Sequence, residues 1–519
     1  MTTQQAALDR PIVTREPAPS RSTLLWLVAL ALAALFVHGY HPFADDAGIY
    51  VAGIRKLADP ALYQPDAAFV LANTRFSLFA HLLAAIVRTT RIPLDYLLLA
   101  THVASIFAFL LACWTLARRI FASPPAHSPP AQWSAVALTA ACFTLPVAGT
   151  ALLLMDPYVT ARSISTPLGL FALAASIDRC WLRAALFLLL TTLMHPLMAL
   201  YISAFVLLFV LIDLDHLRGA CALSLSAVIA TGVIYLATFH VPVSAAYNQA
   251  IHSPVRLYLF PSQWLWYEDI GLVVPLALFA LAAYRLGSRT LSGKLCIAAV
   301  LLGSSSMLSA FLFIHPSGPY LLARLQLLRS FDILYVLGII LLGGFIGELL
   351  LNRSHARGQY SHGVACALLT AIVVVMFLAQ RHTYPLSAHI EWPGESPRNP
   401  WQQAFVWIRF NTPQDAVFAA NPELVFLDGE DSQGFRATTA RSLLADDKDE
   451  GVAIVFSQLA AQWAAERNAQ AGLDQLSDPE RLVRLQTFGA TWLLLSANAT
   501  TSFPCLYRNS VAQVCRLGW

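Results

Sequence analysis

Apolar runs long enough to cross a bilayer recur along this chain from Leu24 to Leu378, and no other feature restricts its fold so strongly. About 20 consecutive apolar residues are expected to cross a membrane as a helix, because a helix satisfies its own backbone polar groups where no water can. Composition agrees. Of 519 residues, 57% are apolar and 12% charged, about half the charged fraction of an ordinary soluble domain. Phosphate-backbone binders gather Lys and Arg on one face. Here the basic residues are spread between the apolar runs and the formal net charge is only +3, which argues against a nucleic-acid partner.

Cytoplasmic loops collect Lys and Arg, so each gap between runs can be assigned a side. Arg10, Arg15 and Arg21 place residues 1–22 inside as a cytoplasmic tail, and residues 23–383 read as one membrane domain. The run after Thr23 is followed by His38-Gly39-Tyr40-His41 rather than a small-x-small cleavage pattern, so it is expected to stay as the first span. Spans are then expected near residues 23–40, 95–117, 132–154, 166–177, 184–194, 197–212, 219–239, 270–286, 295–314, a stretch ending near Arg353, and 363–380. That makes about eleven transmembrane helices, with Arg118, Arg119, Arg179, Arg183, Arg218, Arg285, Arg289, Lys294 and Arg357 on the inner side. Segment 41–94 is expected as a large first outer loop. Its apolar piece Phe76–Val87 is too short to span and suits an interfacial or re-entrant helix.

After Tyr384 the composition becomes that of a soluble domain, and topology places 384–519 outside the cytoplasm. Trp401–Phe410, Leu459–Ala469 and Pro479–Thr487 read as helices, and Ala416–Ala420 and Ala490–Ser496 as strands, giving a small extracytoplasmic α/β domain. Of eight cysteines, Cys505 and Cys515 lie here, where an oxidising compartment permits a disulfide; two buried thiols are the alternative.

The carboxylates Asp45 and Asp46 stand directly after the first span, in His41-Pro42-Phe43-Ala44-Asp45-Asp46-Ala47-Gly48-Ile49-Tyr50. Two like charges in a partly desolvated cleft raise the pKa of at least one, which suits a general base. The same residues could instead cap the helix that follows. A second outer loop, Met155-Asp156-Pro157-Tyr158-Val159-Thr160-Ala161-Arg162-Ser163, offers Asp156 for an acceptor or a metal ion and Arg162 for a donor phosphate. A local Asp156–Arg162 ion pair would explain both residues equally well. Arg256, Arg324 and Arg329 fall near the outer leaflet, where charges are functional candidates, although Arg329 and Asp332 are a turn apart and could simply pair. His195, before Pro196, could reach the cleft or serve in packing, and Tyr50 lies in the same loop as the acidic pair. Tyr247, Tyr258, Trp264, Trp266 and Tyr267 could form a sugar-stacking platform or an interfacial belt. The Gly343-x-x-x-Gly347 stripe permits close helix packing. Paired carboxylates could also hold Mg2+ or Mn2+.

This layout resembles the GT-C superfamily of membrane glycosyltransferases: one span, an outer loop opening on an acidic pair, many further spans and an external C-terminal domain. The stretch Trp407-Ile408-Arg409-Phe410-Asn411-Thr412-Pro413 is similar to the start of that domain in uncharacterised bacterial members. The resemblance implies that Asp45 or Asp46 is the catalytic carboxylate and Asp156 the second acidic residue. It also implies a sugar donor carried on polyprenyl phosphate and a bacterial inner-membrane location. A transporter or flippase, with the same charges lining a path, is the main alternative, although no internal repeat supports it. A non-catalytic assembly protein is the second.

Overall fold

A computed structural model of the protein describes residues 19–122, 129–352 and 358–518. Arg10, Arg15, most of the Pro-rich loop Ser123–Pro130, Arg353 and Arg357 lie outside the described residues. Among those described, eight helices are long and apolar enough to cross a membrane, and the chain is an integral membrane protein. They are Arg21–His38, Leu94–Ile120, Pro196–Asp213, Leu217–Thr238, Trp266–Leu286, Leu291–Phe313, Tyr320–Leu349, which is interrupted by the 3-10 turn Leu327–Ser330, and Gly363–Thr383.

Three of the expected spans differ. Ala161–Ile177 and Trp181–Met194 are helical but short. The third, expected over 132–154, stops being helical at Ala141. Pro146 supplies no backbone donor, and the chain from Cys142 to Thr160 becomes an irregular, largely buried wall, closed on itself by Val147 N–H donating to the Leu152 carbonyl (2.8 Å). Non-helical backbone at this depth is tolerable only because protein covers it.

Segment 41–94 is built of short helices. Ala67–Phe76 and Phe79–Thr90 meet at a 107° bend. Ser77 Oγ and Leu78 N–H hold the bend by donating to the carbonyls of Met194 (2.6 Å) and Leu193 (2.9 Å).

Lipid tails are as apolar as the helices, so small residues and polar bonds fix the packing. A β-carbon at Gly343 or Gly347 would stand 2.8 or 2.6 Å from Ala135 or Ala131 Cα, so the stripe brings its helix directly against Pro129–Ala141. Helix ends on one face are tied by charge. Arg119 grips Asp178 with two bonds (2.8 and 2.5 Å), and Asp213 is shared by Arg179 (2.8 Å) and Lys294 (2.9 Å).

On the opposite face the exits of the first and last spans are zipped together. Tyr40 N–H donates to the His389 carbonyl and Glu391 N–H to the Tyr40 carbonyl, both at 3.0 Å. The C-terminal domain follows. Its strands are β1 (Val417–Ala420), β2 (Ser442–Leu443), β3 (Trp492–Ser496), β4 (Cys505–Arg508) and β5 (Ala512–Arg516), in the order β2-β1-β3-β5-β4. The first three are parallel and the last two pairings antiparallel. Alternation along β3 sends Trp492 and Leu494 to a core with Phe405 and Phe435, and Leu493 and Leu495 to one with Leu473 and Leu485. Both sheet faces are thus covered, as parallel strands require. Cys505 and Cys515 stand opposite each other on β4 and β5 and are disulfide-bonded.

Candidate active site at the junction of the first loop and the C-terminal domain

Asp45 and Asp46 mark the turn from the zipped segment into the helix Asp46–Ala58. Asp45 has φ 45° and ψ −122°, an unusual backbone for a non-glycine residue and one that persists only where surroundings impose it. The surroundings do so here. Asp45 N–H donates to Gln433 Oε1, Tyr158 donates to Asp45 Oδ2 (2.9 Å), and Lys448 Nζ donates to Asp45 Oδ1. Lys448 Nζ also stands 2.9 Å from Asp46 Oδ1. The Asp46 side chain keeps 53% of its surface open and Asp45 43%, while Lys448 keeps 15%.

The capping role considered for Asp45 is not seen: its side chain makes no hydrogen bond to the helix that follows. The like-charge effect expected from adjacent carboxylates is also overturned. Burial pushes the Asp46 carboxyl up, but Lys448, with Arg329 and Arg256 behind it, outweighs burial and holds it below the usual carboxylate range. The two carboxylates hold the Lys448 ammonium above its ordinary value despite burial. An ammonium between the acids has inverted the local logic.

Lys448 was missed in the sequence, and so were its supports. Asp446 Oδ1 accepts the N–H groups of Lys448 (2.9 Å) and Asp449 (3.0 Å), and Trp463 Nε1 donates to the Asp446 carbonyl (2.9 Å). Arg256 Nε lies 2.9 Å from the buried Glu450 Oε1. Behind these, Arg436 binds Asp66 of the first loop (2.5 Å) and Asp449 of the C-terminal domain (2.8 Å), and Tyr63 donates to the Arg436 carbonyl (2.6 Å). Gly434 allows this approach: with φ +77°, a β-carbon there would be 2.4 Å from the Phe43 carbonyl. The resulting cleft, open to solvent, lies between Asp45, Ile49 and Phe69 on one side and Phe426, Gln433 and Lys448 on the other.

The other expected residues divide. Arg162 Nη2 binds both oxygens of Asp156 at 2.5 Å and Nη1 donates to the Leu153 carbonyl (2.7 Å), so the two form the local ion pair and a phosphate would have to displace it. Arg324 donates to the Val455 carbonyl (2.6 Å), a bond that docks the C-terminal domain. Arg329 is different. Its Nε donates to the Thr150 carbonyl (3.3 Å) and it lies over the Tyr258 ring, leaving its Nη groups without a hydrogen-bond partner among the described residues. It makes no ion pair with Asp332, whose buried carboxylate oxygens likewise have no hydrogen-bond partner among the described residues. His195 caps the helix Pro196–Asp213, its Nδ1 accepting from Met198 N–H (3.3 Å). Tyr50 packs edge-on against Phe79 in the same loop. The aromatic group splits: Trp266 and Tyr267 are 73% and 55% exposed at a span end, as in a belt, whereas Tyr258 backs Arg256 and Arg329.

The donor set does not fit Mg2+ or Mn2+. Lys448 already engages both carboxylates of the pair and Arg162 both oxygens of Asp156. Among the described residues no three His, Cys, Asp or Glu side chains form a ligand group. A divalent ion about 4 Å from the ammonium would be repelled by about 8 kcal/mol at an effective dielectric of about 20.

The architecture has solved counterparts. The Archaeoglobus fulgidus oligosaccharyltransferase in its apo form superposes with a TM-score of 0.51 at 12% identity, over 92% of this chain and 70% of that one. The archaeal oligosaccharyltransferase AglB from the same organism, in complex with an inhibitory peptide and a dolichol-phosphate, gives 0.50 at 12% identity, over 91% and 69%. This chain shares their fold. No family model and no curated protein matches the sequence. At this identity the likeness concerns the fold alone.

Proposed function

We propose that this protein is a glycosyltransferase that moves a hexosyl or pentosyl group from a polyprenyl-phosphate-linked donor to an acceptor on the extracytoplasmic face of a bacterial inner membrane. The observation that carries the reading is the acidic pair within electrostatic reach of Arg329, a partly buried guanidinium with hydrogen-bond donors to spare. In this reading the chain crosses the membrane about eleven times, the three short helices included. Its N-terminus lies inside, and residues 384–519 form the external domain.

The donor enters the cleft from the bilayer, and Arg329 binds its phosphate; a guanidinium suits phosphate oxygens. Asp45 or Asp46 takes the proton of the acceptor nucleophile as that atom bonds to the sugar C1. The C1–O bond breaks with its electrons on the lipid phosphate, and configuration inverts. Asp156 holds Arg162 and shapes the wall behind the pair. No metal ion enters this scheme. The test is consumption of a panel of polyprenyl-phosphate hexoses and pentoses by membranes containing the protein. Turnover of at least one supports the reading, and failure across the panel with a folded protein counts against it.

A further inference from the structure

Lys448 touches both members of the acidic pair, yet it comes from the C-terminal domain and its loop is fixed on three sides. Its backbone N–H is held by Asp446, its carbonyl accepts from Arg256 Nη2 (3.4 Å), and the adjacent Glu450 is ion-paired to the same Arg256. An ammonium group carries three donors on a compact charge. Two are directed at Asp45 Oδ1 and Asp46 Oδ1, and Nζ has no further hydrogen-bond partner among the described residues. Tyr158 occupies the second oxygen of Asp45. Oxygen-rich sites for Mg2+ or Mn2+ need carboxylates that are free to coordinate, and three of the pair's four oxygens are already engaged.

We propose that Lys448 stands in the place of a divalent cation: it gathers Asp45 and Asp46, keeps both ionised, and makes this site work without a metal ion. The inference rests on reading the acidic pair as the working centre. It adds that the C-terminal domain supplies the cation in direct contact with the pair. A specific consequence is that removing the ammonium should turn the pair into a cation site.

The test is Mn2+ occupancy of the full-length protein purified in detergent, read by the EPR signal of the free ion up to concentrations on the order of 1 mM. Wild type is expected to bind no Mn2+ at this site. Lys448→Ala is expected to bind one ion, and Lys448→Ala with Asp45→Asn to lose it again. Lys448→Gln, which keeps the length of the side chain, replaces Lys448→Ala if that variant does not fold. Mn2+ bound by wild type and lost in Asp45→Asn would overturn the inference, as would a folded Lys448→Ala or Lys448→Gln protein that binds none. Occupancy is read without substrate, so absence of sugar transfer would count against the glycosyltransferase reading alone. Transfer by wild type should be unchanged in EDTA.

Discussion

The two faces of this membrane protein spend charge differently. On one face Arg119, Arg179 and Lys294 are each matched to a carboxylate, Asp178 or Asp213, at a neighbouring helix end. On the opposite face, Asp45, Asp46, Lys448, Arg256 and Glu450 come from three distant segments, and Arg329 is left with unmatched donors. The first arrangement closes a bundle. The second leaves capacity to bind something, and it exists only when the C-terminal domain is docked.

The largest expected effect on stability comes from the bond that docks the domain. Arg436→Met leaves Asp66 and Asp449 buried without their cation, a change that typically costs about 3–5 kcal/mol. Proteolysis should then release the C-terminal domain at temperatures where wild type stays intact. Next is the contrast between two arginines. Arg329→Ala should lower transfer and raise the KM for donor, about 10- to 100-fold in kcat/KM, the loss of one or two charge-assisted bonds. Arg324→Ala, which loses contacts to the Val455 carbonyl and to Tyr247 rather than spare donors, should change kcat/KM less than about threefold. A comparable loss for Arg324→Ala would dissolve the distinction drawn here. On the other face, Asp178→Asn should lower stability by about 1–2 kcal/mol, between the surface and buried limits for a pair this shielded, and leave transfer per folded molecule unchanged. Thermal melting with a matched transfer assay checks both halves of that prediction.

The smallest effect is a pH dependence. Burial pushes the Glu450 carboxyl up to about 7 against the pull of Arg256. Between its ordinary value of 4.5 and about 7 the folded state therefore binds more protons than the unfolded one. Its contribution to stability is full below the lower value and is lost as pH rises through the upper one. Melting temperature should fall across that window, and Glu450→Gln should flatten the fall. Identical profiles would remove Glu450 from the docking account.

Where local pattern decides structure, the sequence was readable. Hydropathy located the long spans, and the brevity of Phe76–Val87 matches a short helix, Phe79–Thr90, that meets its predecessor at a 107° bend. The spacing of Asp156 and Arg162 raised the ion pair that the structure contains. Hydropathy failed over Cys142–Leu154, which is apolar enough to span but carries Pro146, and burial against protein replaced the helix. The acidic pair was visible, but its partner was not. Lys448 lies 403 residues from Asp45, and only tertiary docking brings them together. The available signal was the run Asp446-Asp447-Lys448-Asp449-Glu450, a dense charge cluster that a solvated loop would explain equally well. Without Lys448 the adjacency of Asp45 and Asp46 argues for a raised pKa; with it the sign reverses.

The central claim is that the acidic pair does the chemistry while its surroundings hold it. The most direct test is polyprenyl-phosphate sugar turnover in membranes carrying wild type, Asp45→Asn, Asp46→Asn or the double variant, at matched protein levels and with melting temperatures measured alongside. The account predicts that the double variant remains folded and loses transfer by at least about 100-fold, the range for a positioned acid–base group. A folded double variant that transfers sugar at the wild-type rate would contradict it.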